Sequence, residues 1–169
     1  MRFLLVTLCV SAMITVAAQG QAERANDFSF LYVRTTGTVP PEYYYEYSIE
    51  YEGGDTMRIV FRPAYKNVEQ YAETFVADSD DVARIYRKMD SAGVFEGEIE
   101  TLDAMERPVG GSVQWVEGIV DGERFSAPPF PRNAEPLNAV YTLIQDLPPK
   151  HVWTEWQHRH AEYNNKNGL

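Results

Sequence analysis

Between Glu42 and Glu52 the chain alternates. Tyr43, Tyr45, Tyr47, Ile49 and Tyr51 are apolar, while Glu46, Ser48, Glu50 and Glu52 are polar, with Tyr44 the exception. A period of two marks a strand with one buried face. Thr56 to Arg62 repeats the pattern through Met57, Ile59 and Phe61, with Gly53-Gly54-Asp55 in between. A two-residue loop would set Ile49 opposite Arg58 and mix core with solvent. A three-residue loop sets Ile49 opposite Ile59 and Tyr47 opposite Phe61, and pairs Glu50 with Arg58 and Glu46 with Arg62. The faces therefore select the three-residue loop, whose left-handed position Gly or Asp tolerates.

Asp27 to Thr36 reads as an earlier strand, with Phe28, Phe30 and Tyr32 on one face. Val68 to Val76 reads as a further one. A helix opens at Asp78-Ser79, carries the stripe Val82, Ile85, Tyr86 and Met89, and stops at Gly93. Acid at its start, Arg87 and Lys88 near its end and Gly after it are what helix termini favour. Glu96 to Gly111 is an acidic loop. Ser112–Val120 and Glu123–Ala127 form a hairpin around Asp121-Gly122, with Trp115 and Ile119 competing against Val116 and Val120 for the core face. A second helix begins near Pro136 and presents Leu137, Val140, Tyr141 and Ile144. Pro148-Pro149 ends it. Thr154 and Gln157 stand at capping-box spacing for a short third helix, and Asn164 to Leu169 is expected to fray.

Hairpins of strands alternating with helices imply an α+β, two-layer domain. The expectation is an antiparallel sheet of about five or six strands, two main helices on one face and a short C-terminal helix. Residues 27–149 form one domain, and 150–169 a tail.

The first 18 residues change the picture. Met1-Arg2 is followed by a mostly apolar run from Phe3 and by the small residues Ala17-Ala18. Charge, apolar run and small residues in that order predict a signal peptide (1–18) cleaved near Ala18, with 19–26 as a flexible leader. A run of 16 residues falls short of the roughly 20 needed to span a bilayer. The expected location is thus secreted or periplasmic, without a membrane anchor after cleavage. Cys9 is the only cysteine and leaves with the signal, so no disulfide, thiol nucleophile or thiolate metal site follows. The net charge of −10 argues against nucleic acid, whose binding needs basic surface.

Candidate chemistry is sparse. The histidines His151, His158 and His160 all stand in the tail, and no Gly-x-Ser-x-Gly elbow or phosphate loop occurs. His158, His160 and Glu162 are the residues a metal would use, yet a zinc-type motif is missing, so the reading is no metal and no cofactor. Glu96, Glu98, Glu100, Asp103 and Glu106 crowd one loop, and an acid/base hydrolase needs only two carboxylates suitably placed. A charge run is more often a solvated face. Tyr44 shares the polar face with Glu46, and an exposed tyrosine beside carboxylates suits recognition of a protein or a sugar. Tyr44, Glu46, Trp153 and Trp156 are the candidate binding residues.

From Val82 to Leu147 the order is a helix ending in Ala92-Gly93-Val94-Phe95, an acidic Pro-containing loop, a hairpin at Asp121-Gly122, a Pro-rich link and a Leu-rich helix. This order resembles the emfourins, small bacterial inhibitors of thermolysin-like metalloproteases. The resemblance implies a non-enzymatic α+β domain that blocks a protease, and carries over no inhibitory residue. The tyrosine-rich hairpin and the Trp/His tail depart from it. The reading is a small secreted or periplasmic binding domain without catalysis. Its alternatives are an inhibitor-like protein and an acid/base hydrolase.

Overall fold

The computed structural model describes residues 27–65 and 68–169, so the expected signal (1–18) and leader (19–26) lie outside the described residues. The described residues form six strands and three α-helices. The strands are β1 (Ser29–Thr35), β2 (Glu46–Tyr51), β3 (Thr56–Arg62), β4 (Tyr71–Val76), β5 (Val113–Val120) and β6 (Glu123–Ala127). The helices are α1 (Ser79–Ser91), α2 (Glu135–Gln145) and α3 (Lys150–Asn167). One antiparallel sheet runs in the order β4-β3-β2-β1-β5-β6. The fold is α+β. The first four strands form a meander, and the chain then returns through α1 to lay β5 along the free side of β1.

Register follows the alternation. Tyr47 pairs with Phe61, Ile49 with Ile59, Glu46 with Arg62 and Glu50 with Arg58, as the three-residue loop requires. Both ion pairs form on the outer face, at 2.9 Å and 3.1 Å. Tyr32 pairs with Val116 and Val33 with Trp115, which turns Val116 into the core and Trp115 outward. The Asp121-Gly122 turn takes positive φ at both positions, 51° and 83°, as a two-residue hairpin turn demands.

Side chains of the inner face meet each helix in turn. A Cβ on Gly118 of β5 would lie 2.9 Å from the Met89 terminal methyl, and Phe28 meets Tyr86 at 5.2 Å between ring centroids, so α1 lies against β5 and the start of β1. Tyr32 meets Tyr141 of α2 at 5.6 Å. Tyr47 and Phe61 meet Trp153 and Trp156 of α3 at 5.1 Å and 5.2 Å. Helix α1 starts at Asp78, whose carboxylate accepts from the Asp80 amide, and ends in a Schellman motif. There Gly93 sits at φ 75°, its amide donates to Asp90 O, and the Val94 amide donates to Met89 O.

Helix α3 corrects the expected short helix and fraying tail. It begins directly after Pro149 and runs for 18 residues to a left-handed Gly168. Thr154 does not cap it; its hydroxyl donates one turn back to Lys150 O. The length has a tertiary cause. Buried Val152 and the two tryptophans dock on the sheet, and further along His160 and Asn164 donate to the carbonyls of Tyr44 and Glu42. Tertiary contacts of this kind stabilise a helix whose local signals are poor.

Candidate functional site

Of the predicted binding residues, Tyr44 is buried, while Glu46, Trp153 and Trp156 are partly exposed. Tyr44 is not on a wet strand face. The chain passes through a 3-10 turn at Pro41–Tyr43, and Tyr44 leaves it on the side of Glu46 but covered, 6% exposed and stacked on Tyr65 with ring centroids 3.8 Å apart. Its hydroxyl donates to Glu46 at 3.3 Å, and burial raises its pKa. The exposed member of the cluster is Tyr43, which the alternation assigns to the core. Glu46 carries the Arg62 ion pair. Trp153 and Trp156 are half-buried in the aromatic layer between α3 and the sheet. His158 pairs with Glu162 one turn on, at 3.2 Å, while His160 turns to the Tyr44 carbonyl, so the histidines diverge. Among the described residues, no group of three or more His, Cys, Asp or Glu is placed to hold a metal.

The paired-carboxylate idea meets the structure on the outer sheet face. Glu50, Glu52 and Glu117 line one recess of about 210 Å³ there. Glu50 accepts from Arg58, and Glu117 from Arg124 at 3.2 Å. Glu50 and Glu117 are thus already occupied by ion pairs, and the third acid, Glu52, is exposed to solvent.

The loop over 96–111 shows a different organisation. A solvated acidic loop needs no internal order, yet this one is tied across its base. Thr101 bridges to Pro131, the Leu102 amide donates to Phe130 O at 2.9 Å, and the Arg132 amide donates to Glu100 O at 2.8 Å. The Arg132 guanidinium reaches back to the loop, to Glu100 at 2.6 Å and to both Glu106 oxygens at 2.9 Å and 3.3 Å. Glu106 also accepts from the Asp103 amide. The Arg132 hydrogen bonds are the main reason the Glu106 carboxyl lies below its usual range, and Glu106 in turn raises the guanidinium. Arg107 donates to Leu102 O and lies over the Phe130 ring, 5.4 Å from its centroid. Phe130 itself takes φ 62°, a conformation that bulky side chains avoid and that survives only where surroundings impose it. At the far end, Gly37 packs against the Gly111 carbonyl so closely that no side chain fits between them.

This bracing presents two apolar side chains to solvent. Met105 is 99% exposed and Val109 105%. They stand in a segment that also carries Glu98, Asp103 and the Glu106 carboxylate. The loop carries no His, Cys or Ser, and so no pairing of a histidine base with a nucleophile of its own. It can offer two apolar contacts, a negative rim and main-chain groups in a held shape. The acidic residues of this loop were legible in the sequence. Its order was not, because the guanidinium that supplies it stands 26 residues from Glu106.

Neither a family model nor a curated protein matches the chain.

Proposed function

We propose that the protein is a small secreted or periplasmic domain without catalysis that binds another protein through the loop over 96–111. The observation that carries this reading is the full exposure of Met105 and Val109 on a segment braced by Arg132. Loops of this length without regular structure are usually functional or disordered, and the ties across the base favour function. Holding a recognition loop in shape beforehand lowers the entropy lost on association. The strained Phe130 backbone at its base fits the same purpose.

The emfourin-like order of elements makes a thermolysin-like metalloprotease the first partner to test. An apolar side chain on a braced loop with an acidic rim also suits insertion into a cleft. Titrating such a protease with the protein should suppress peptide hydrolysis stoichiometrically, and Met105→Asp with Val109→Asp should relieve it. Independently, a photo-crosslinker at Met105→Cys, made in a Cys9→Ser background, should capture one discrete partner from the exported fraction. The same label at exposed Glu52 should not. A discrete adduct without protease inhibition keeps the binding reading and discards the inhibitor. Identical adducts from both labels, with no inhibition, would overturn the proposal.

A further inference from the structure

We infer that the groove between α1 and α2 binds a small amphiphilic anion, an apolar chain or ring ending in a carboxylate or phosphate. This surface shares no residue with the loop over 96–111, so the inference stands or falls apart from the function proposed above. The groove is an open recess of about 730 Å³, a volume within the range of small-molecule sites.

Its wall on α1 is cationic. Arg84, Arg87 and Lys88 follow the spacing i, i+3, i+4, which places them on one side of the helix. Among the described residues, Asp146 is the one carboxylate lining the groove, so a chain with net charge −10 turns locally positive here. Arg84 is held by Asp81 at 2.9 Å. Arg87 and Lys88 make no ion pair among the described residues, which leaves two exposed cations facing the groove. Cations arranged this way bind carboxylate or phosphate oxygens through charge-assisted hydrogen bonds.

The opposite wall, from α2, supplies half-buried Leu143 and the Thr142 hydroxyl. Long cationic side chains add apolar stems to that surface. An inorganic anion would use the cations and leave the leucine wall without a partner. A polyanion would meet Asp146. One anionic head on an apolar body satisfies both walls at once.

The test is an amide chemical-shift titration of the full chain with decanoate, decyl phosphate and decanol. Decanoate or decyl phosphate should give saturable shifts confined to α1 and α2, and decanol should not. The tighter of the two anions identifies the head group. Arg87→Gln with Lys88→Gln should weaken the binding about tenfold or more, through loss of two charged donors. Both side chains are exposed and without ion-pair partners, so the variant's circular dichroism and melting should match the parent. No shift up to about 1 mM, the limit of useful affinity for such a site, would overturn the inference. Equal shifts with decanol, or shifts unchanged in the double variant, would do the same.

Discussion

Gly118 of β5 lies directly beneath α1, where a Cβ would come within 2.9 Å of both the Met89 methyl and the Phe95 ring. The missing side chain lets helix and sheet approach. Met89 can swing aside, but Phe95 is stacked on Tyr86 at 5.3 Å and edge-on to Phe125 at 5.4 Å. Gly118→Val should therefore cost about 1–3 kcal/mol, the usual effect of overpacking, despite the better strand propensity of valine. Urea melts read it directly; a neutral valine would mean the layers are looser than the geometry describes.

Ile49 and Glu50 test the faces of the sheet. Ile49 is fully buried and Ile49→Ala should cost about 2–5 kcal/mol. Glu50→Ala should cost no more than about 1 kcal/mol, since it removes a partly exposed ion pair with Arg58. Equal losses in denaturant melts would contradict the observed register.

For Tyr44 the expected effect is on stability. Tyr44→Ala removes a buried ring and its stacking on Tyr65, and should cost about 2–4 kcal/mol. Tyr43→Ala, at 65% exposure, should stay within about 0.5 kcal/mol. The ordering of the two melting temperatures decides whether Tyr44 is covered by Tyr65.

Alkaline pH should unfold the protein through its buried tyrosines. Burial raises Tyr32, Tyr47 and Tyr141, the last to about 12. An unfolded tyrosine ionises near about 10, so the unfolded chain releases its protons first as pH rises. Stability should be level with respect to these groups below about pH 9 and fall from about pH 10 toward 12, by up to about 1.4 kcal/mol per pH unit for each tyrosine. Tyr141→Phe should flatten that fall. Its hydroxyl is buried without a hydrogen-bond partner, so stability at neutral pH should hold or rise. Chemical denaturation across this range checks both statements.

Export is expected to remove the apolar start of the chain. A reporter fused after Ala22 should be exported, and mass spectrometry of the native protein should find its N-terminus near Gln19. Intact Met1 on the located protein would rule out a cleaved signal.

What the sequence determined by itself was everything that repeats over short distances. The period-two alternation of Tyr47, Ile49 and Tyr51 against Met57, Ile59 and Phe61 dictates the hairpin register, because a slip of one residue would turn every apolar side chain to water. Asp78 and Gly93 bound α1 through hydrogen bonds that reach only a few residues. Tertiary structure decided what depends on distant partners. In β5, apolar residues stand on both faces, so local pattern cannot choose, and pairing of Val116 with Tyr32 made the choice. Tyr44 is buried because the Tyr65 ring, 21 residues on, stacks over it. Helix α3 extends through its tail because, beyond the docked tryptophans, His160 and Asn164 reach the carbonyls of Tyr44 and Glu42, and a left-handed Gly168 closes it. The loop over 96–111 owes its order to Arg132, and a charge that acts across 26 residues leaves no period in the sequence to read.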